Sequence, residues 1–130
     1  MSKILSIHPL EERRVMQGND VLMTQALLNL LYNALDAVLE IEQPQVTLSV
    51  SGSVEFIVTD NGRGVSEDIR KNLFKPFVSG KHRTTGMGLG LTLAELIAKE
   101  HGGVLSYQPT ESGGSEFTLS VPLKIEQSEN

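Results

Sequence analysis

The stretch that decides the fold of this chain reads Gln25-Ala-Leu-Leu-Asn29-Leu-Leu-Tyr-Asn33-Ala-Leu-Asp36. Apolar residues recur through it and just beyond it at helical spacing, namely Leu28, Leu31, Leu35 and Val38. The quoted amides and the acid project from the opposite side, because positions three or four apart are neighbours on a helix surface. The pattern predicts a long helix that begins at Asn19 or Asp20 and buries its leucine face, in a region that Pro44 closes.

Two interpretations of this polar stripe remain open from the residues alone. Asn is a poor helix former because its amide competes for backbone partners, so two of them among leucines need some compensation. Most amides on a helix surface are simply solvated. Neutral amide oxygens can also coordinate Mg²⁺ and so hold its phosphates, since they are hard ligands for a hard cation.

Alternating residues predict two antiparallel hairpins. The first joins residues 46–51 to 54–59 across Gly52-Ser53, and the second joins residues 105–107 to 117–121 through a turn-rich segment. Further extended segments are predicted within 3–17, a short helix from Ser66, and a longer helix over 91–101 that two glycines end. The element order predicts an α/β two-layer sandwich, in which helices cover one face of a mixed, mainly antiparallel sheet.

The composition fits one folded domain. With 130 residues, 39% of them hydrophobic and 21% charged, we assign a single domain to residues 1–123 and a polar tail to 124–130. The absence of Cys excludes a disulfide framework, a thiolate metal site and a Cys nucleophile. Residues 22–41 are too polar for a membrane span, and no secretion signal is visible at the N-terminus.

The charge of the chain is acidic overall but basic in one segment. A formal net charge of -5 argues against nucleic-acid binding and against direct contact with a membrane surface, since both need positive potential. Between Arg70 and Arg83, however, lie five of the eleven Lys and Arg residues and no Asp or Glu. This concentration predicts that the segment meets a compact anion.

Two glycine-rich segments are candidates for ligand contact. Asp60-Asn-Gly-Arg-Gly64 follows a strand and could be a hairpin turn, or a place where the carboxylate accepts a hydrogen bond from adenine while glycines let the ring approach. Gly86-Met-Gly-Leu-Gly90 precedes a helix, whose free amides and dipole favour a phosphate. Taken alone, this second segment favours a flexible loop over a phosphate site.

The order of four motifs adds a resemblance to a known family. Asn29-Leu-Leu-Tyr-Asn33-Ala, Asp60-Asn-Gly-Arg-Gly64, Phe74-Lys-Pro-Phe77 and Gly86-Met-Gly-Leu-Gly90-Leu strongly resemble the four boxes of the histidine-kinase catalytic and ATP-binding domain. That family belongs to the GHKL, or Bergerat-fold, superfamily. Only eight residues separate Phe77 from Gly86, which resembles the short lids of sensor kinases of the nitrogen-regulation and dicarboxylate-sensing type.

The resemblance implies roles for the matching residues. Asn33 would bind Mg²⁺ and act in catalysis, Asn29 would assist the metal and the phosphates, and Asp60 would bind the adenine amine of ATP. Lys81 would act in catalysis by neutralising the triphosphate. The other ATP-binding positions would be Gly62, Gly64, Phe77, Gly86, Gly88, Leu89, Gly90 and Leu91. Phe74 and Phe77 match the aromatic box that anchors the lid, although ordinary core positions would fit them as well.

The resemblance also implies a reaction. Superfamily members that hydrolyse ATP carry a Glu where this chain has Asn29, and an amide cannot accept a proton at neutral pH. We therefore expect phosphoryl transfer to a histidine of a separate dimerisation domain, with a response regulator downstream, in a cytoplasmic domain whose parent kinase can be membrane-anchored. The alternatives are an anti-sigma-type serine kinase and a nucleotide-sensing module without catalysis.

The family's phosphoacceptor histidine lies on a helical hairpin that precedes the ATP-binding domain. No such hairpin fits before Asp20, and Pro9 disfavours helix at His8. We therefore expect this chain to be an excised domain or a stand-alone relative.

Overall fold

A computed structural model describes residues 4–8, 20–51, 55–71, 73–74 and 90–122 of the chain. Within these ranges the chain forms five strands and three helices. In chain order they are β1 (Leu5–His8), α1 (Asp20–Ala37), β2 (Val46–Ser51), β3 (Glu55–Asp60), α2 (Glu67–Arg70), α3 (Gly90–Glu100), β4 (Val104–Pro109) and β5 (Ser115–Ser120). The predicted turn at Gly52-Ser53 and the predicted tail over 124–130 lie outside the described residues.

The strands form one mixed sheet with the order β1-β2-β3-β5-β4. Strands β1 and β2 are parallel, and the other three pairs are antiparallel. Both predicted hairpins are confirmed, as the β2–β3 and β4–β5 pairs. Helices lie on one side of this sheet, so the predicted two-layer α/β class is confirmed as well.

The core lies between the helices and one face of the sheet. Val58 is opposite Phe117 across β3 and β5, and Phe56 is opposite Leu119, so these rows form a continuous apolar layer. The alternate positions of the same strands, such as Thr59 and Thr118, point to the other face, because side chains alternate along a strand. Burial of a large apolar side chain contributes about 1.5–3 kcal/mol, so this layer fixes the register of the sheet.

The buried face of α1 differs from the predicted leucine face. The core residues of this region are Met23, Ala26, Leu30, Ala34 and Val38, which recur at steps of three or four. Leu28 is 38% exposed, and Leu31 and Leu35 pack only partly against the core. The sequence offers apolar residues on most sides of α1, and contact with both the sheet and α3 selects the side that carries the small alanines.

Local capping signals in the sequence are confirmed where the structure describes them. The Ser66 hydroxyl accepts a hydrogen bond from the Ile69 backbone N–H at 3.4 Å and begins α2. At the end of α3, Gly102 has φ +74°, and the N–H groups of Gly102 and Gly103 bond to the carbonyls of Lys99 and Ala98. This Schellman arrangement ends α3 where the paired glycines predicted. Helix α1 ends at Ala37, well before Pro44.

Candidate functional site

Asp60 is a buried carboxylate at the end of β3. It is only 2% exposed and lies in the sheet row that also contains Val46 and Ser115, on the face covered by helices. Its Oδ1 accepts a hydrogen bond from the Gly62 backbone N–H at 2.8 Å. Its Oδ2 is buried and has no hydrogen-bond partner within the part of the chain that the structure describes. The side chain therefore offers one unused acceptor to a ligand.

The environment of Asp60 changes its protonation. Removal from water raises the pKa of the Asp60 carboxyl above its ordinary value, because burial disfavours the charged form. The backbone N–H groups of Gly62 and Ser115 act in the opposite direction and lower the pKa, but burial is the larger effect. An acceptor of this kind is costly to bury without a partner, which is typical of a binding group.

Residues 60–64, called the Asp60 loop below, contact the end of α1 through Gly62. A Cβ atom at this position would lie 2.5 Å from the Ala37 carbonyl oxygen and 2.9 Å from the Ala37 Cβ. Only glycine fits, because the obstructing atoms belong largely to the helix backbone. The sequence predicted a glycine that lets a ring approach, and the structure adds a packing reason that depends on a residue far away in the chain.

The amides of α1 lie beside this loop. Asn33 is half-buried and precedes Ala37 by four residues, so the two lie one turn apart on the same side of the helix. Ala37 contacts Gly62, which follows Asp60 by two residues. Asn33 and Asp60 therefore lie on the same side of the sheet, each close to the contact between Ala37 and Gly62. The sequence prediction that they belong to one site is thus consistent with the fold.

Asn29 is only 4% exposed, although it belongs to the polar stripe. Its Oδ1 accepts a hydrogen bond of 3.0 Å from the Nε2 of Gln25. Burial of this amide shows that the stripe is not fully solvated. A buried amide needs hydrogen-bond partners, and Gln25 is one of them. Gln25 itself is exposed, so the stripe runs from solvent into the protein.

A second loop supports the Asp60 loop from the opposite side. Gly64 has φ +80°, and a Cβ there would lie 2.4 Å from the Gly113 carbonyl oxygen. A Cβ on Gly114 would lie 2.0 Å from the Asp60 carbonyl oxygen. The turn between β4 and β5 therefore packs directly against Asp60–Gly64. Sequence reasoning treated this turn only as a connection.

Ser115 was also missed by the sequence analysis. It is 3% exposed and lies opposite Asp60 in the β3–β5 pairing. No local pattern singles it out, because the proximity arises from a pairing between strands that are distant in the sequence. The only signal was the paired glycines that precede it, which allow the close approach of the two strands' ends.

The start of α3 is attached to Phe74. Thr92 donates a hydrogen bond of 2.5 Å from its Oγ1 to the Phe74 carbonyl oxygen, and Leu91 is buried. The Phe74 ring packs edge-on against Phe117, with 6.5 Å between the ring centroids. Phe74 is therefore joined to the core and at the same time holds the first turn of α3, which begins at Gly90.

The remaining predicted site residues fall outside the described ranges. They are Phe77, Lys81, Gly86, Gly88 and Leu89. No helix in the described part of the chain combines the length and apolar character that membrane crossing requires.

Comparison with known proteins identifies the family of the chain. The model of a family described as "Histidine kinase-, DNA gyrase B-, and HSP90-like ATPase" matches residues 18–125. The C4-dicarboxylate transport sensor protein DctB of Rhizobium meliloti (strain 1021) is 37% identical over 110 residues, which is 82% of this chain and 17% of DctB.

Two solved structures share the fold. The mycobacterial sensor histidine kinase MprB superimposes with a TM-score of 0.78 at 20% identity, over 95% of this chain and 85% of that chain. ShkA, solved full-length in complex with AMPPNP, gives a TM-score of 0.74 at 28% identity, over 95% of this chain and 26% of ShkA. The chain thus spans less than a fifth of DctB and about a quarter of ShkA.

Proposed function

Because this chain belongs to the family of histidine kinase-, DNA gyrase B- and HSP90-like ATPases, we propose that it is the ATP-binding catalytic domain of a two-component sensor histidine kinase. It binds Mg-ATP and transfers the γ-phosphoryl group to a histidine on a separate dimerisation domain, which passes it to a response regulator. One observation carries the proposal: Gly62 against Ala37 brings the buried acceptor of Asp60 to the side of α1 that carries Asn33.

Asp60 binds the adenine ring in this proposal. The exocyclic amine of adenine is a hydrogen-bond donor, and the Asp60 Oδ2 is a buried acceptor with no partner among the described residues. The Oδ1 is already held by the Gly62 N–H, so the carboxylate keeps one orientation. A fixed acceptor of this kind favours adenine over guanine, which carries an oxygen in place of that amine.

Asn33 holds Mg²⁺, and Asn29 assists at the phosphates. Mg²⁺ takes one or two protein oxygens and completes its shell with water and phosphate, so a single amide oxygen from Asn33 fits the chemistry of this ion. When bound, Mg²⁺ neutralises charge on the phosphate oxygens. The hydrogen bond from Gln25 fixes the amide of Asn29, which limits its motion beside the phosphates.

Transfer to a protein acceptor is favoured over hydrolysis. Asn29 offers no carboxylate, so the helix that carries Asn33 has no base at this position to activate water. Phosphoryl transfer depends mainly on positioning and electrostatic stabilisation, which neutral amides and a cationic Lys81 can supply. The nucleophile then comes from the incoming histidine ring.

In this proposal the remaining ATP ligands come from the glycine-rich and basic segment 77–91, whose last two residues belong to the first turn of α3. They are Phe77, Lys81, Gly86, Gly88, Leu89, Gly90 and Leu91. The complex of the related ShkA with AMPPNP supports a nucleotide as ligand. We place the domain in the cytoplasm, where ATP is available.

Binding is tested first. Isothermal titration of the chain with AMPPNP should give a complex that requires Mg²⁺ for full affinity, and Asn33→Asp should weaken it because the new carboxylate repels phosphate. Thr24→Asp adds the same charge at an exposed position of α1 and should leave the affinity unchanged. Equal affinity in the wild type and in Asn33→Asp would remove Asn33 from the site.

Transfer is tested second. The chain is mixed with γ-labelled ATP and the histidine-bearing hairpin domain of a related sensor kinase. Label that is stable in base and lost in acid indicates phosphohistidine and supports the proposal. A parallel reaction offers a serine-bearing protein substrate in place of the hairpin domain. Acid-stable label on that protein would indicate the anti-sigma type of kinase, and nucleotide binding without label in either reaction would indicate a sensing module.

A further inference from the structure

The residue that follows Asp60 is held by three hydrogen bonds to a distant segment. Asn61 donates its backbone N–H to the Gln45 carbonyl oxygen at 3.1 Å. Its Oδ1 accepts from the Gln45 N–H at 2.8 Å, and its Nδ2 donates to the Gln43 carbonyl oxygen at 2.8 Å. Both ends of the side-chain amide therefore bond to the backbone between α1 and β2.

Rotation of the Asn61 side chain would break one or both of its side-chain hydrogen bonds. The side chain accepts from one residue and donates to another, and an amide is the group that does both at this length. Asp at this position would set a carboxylate oxygen against the Gln43 carbonyl, and Ala would remove both side-chain bonds. The pattern Asn-Gly in the sequence suggested a turn, which does not require such contacts.

The consequence for the site follows from the neighbouring residue. Gly62 packs against Ala37, the last residue of α1, so Asn61 and Gly62 together connect the Asp60 loop to the end of α1 and to the segment that leaves it. The Gly62 N–H is also the donor that orients the Asp60 Oδ1. A shift of this loop would therefore move the Asp60 carboxylate relative to Asn33.

We infer that Asn61 is a positioning residue, which couples the adenine-binding carboxylate of Asp60 to the helix that carries Asn33. This inference rests on the proposed nucleotide-binding function and assigns to Asn61 no contact with the nucleotide. Base and phosphates are joined covalently, so the two groups that bind them must be held at one separation. Misplacement by about 1 Å is enough to weaken such a site strongly.

The test compares Asn61→Ala with a variant that lowers stability away from the Asp60 loop. Leu119→Val shortens a fully buried side chain at the far end of β5 from Ser115 and should lower the unfolding temperature without moving the Asp60 loop. AMPPNP and GMPPNP affinities are measured for both variants at a temperature where each is folded. We expect Asn61→Ala to raise the Kd for AMPPNP at least fivefold and to reduce the preference for adenine, and Leu119→Val to change neither.

A second variant and a direct readout keep the test decisive. Asn61→Ser retains a small polar side chain and should give an intermediate loss, and the Gln45 amide should exchange with solvent faster in both Asn61 variants. If Asn61→Ala and Leu119→Val bind both nucleotides like the wild type, the inference is wrong while nucleotide binding stands. If the wild type itself binds no AMPPNP, the proposed function fails instead.

Discussion

Replacement of Asp60 by Asn should weaken nucleotide binding and at the same time stabilise the nucleotide-free protein. The substitution keeps the size of the side chain and an oxygen for the Gly62 N–H, but it removes the buried negative charge. It also turns an acceptor into a donor at the position of Oδ2. The two effects have opposite signs, so they separate a binding role from a purely structural one.

The magnitudes follow from the surroundings of the carboxylate. A hydrogen bond to a charged group contributes about 1.5–3 kcal/mol. Its loss corresponds to about a 10- to 150-fold increase in Kd. Burial of a polar group without a partner costs about 1–3 kcal/mol. Asn is also polar, so Asp60→Asn removes only part of this burial cost. We therefore expect a gain of about 1 kcal/mol in the free energy of unfolding, or roughly 4 °C in Tm.

The pH dependence has a definite sign. Burial raises the pKa of Asp60 in the folded state, so the folded protein holds this proton more tightly than the unfolded chain does. The stability that this carboxyl contributes is present at low pH and is lost as pH rises through its raised pKa. Nucleotide affinity should change in the opposite sense and fall as pH falls through the same pKa, because the ionised carboxylate accepts a stronger, charge-assisted hydrogen bond from the amine than the protonated carboxyl does.

Urea unfolding and isothermal titration with AMPPNP, each between pH 4 and 8, measure both effects. Glu116→Gln is the matched control, because it removes the same charge one row away on the opposite face of the sheet. The stability difference between wild type and Asp60→Asn should grow with pH, and Glu116→Gln should leave the AMPPNP affinity unchanged. Unchanged AMPPNP affinity in Asp60→Asn, or a loss of stability at neutral pH, would refute the reasoning.

Three further substitutions test the packing around the site. Gly62→Ala places a methyl group 2.5 Å from the Ala37 carbonyl oxygen. It should lower the free energy of unfolding in urea by about 2 kcal/mol or more and weaken AMPPNP binding at least tenfold. Wild-type values for both would contradict the contact. Thr92→Val removes the hydrogen bond to the Phe74 carbonyl and should lower the free energy of unfolding by about 1 kcal/mol. Thr92→Ser retains the hydroxyl and should lower the free energy of unfolding by less. Equal effects of the two variants would argue against this hydrogen bond. The Tyr107 hydroxyl is buried without a partner among the described residues, so Tyr107→Phe should leave stability unchanged or raise it by about 1 kcal/mol, and a clear loss in thermal unfolding would indicate a partner.

Much of the local structure was predictable because its causes are local. Alternation of side chains determined the strands of both hairpins, and the capping serine at Ser66 and the glycine pair after α3 marked helix ends. The residue types of the proposed site come from an equally local pattern. A carboxylate, two amides and glycines are groups that can bind adenine, Mg²⁺ and phosphate, and their order along the chain resembles a known family.

The side of α1 that faces the core was not predictable in this way. Leu28 and Leu30 are chemically equivalent, yet Leu28 is 38% exposed and Leu30 is fully buried. Contact with two layers, the sheet and α3, selects the side with Ala26 and Ala34, because small residues let the elements approach closely. A helical pattern with apolar residues on most sides does not specify which side of the helix is buried.

The sequence by itself determined which chemical groups the protein has and which strands and helices carry them, because spacing and capping act over a few residues. Only the tertiary structure decided that Gly62 contacts Ala37, that Ser115 lies opposite Asp60, and that Asn61 bonds to the segment before β2. These contacts join residues far apart in the chain. They depend on strand pairing and close packing of the whole domain, which no local pattern specifies.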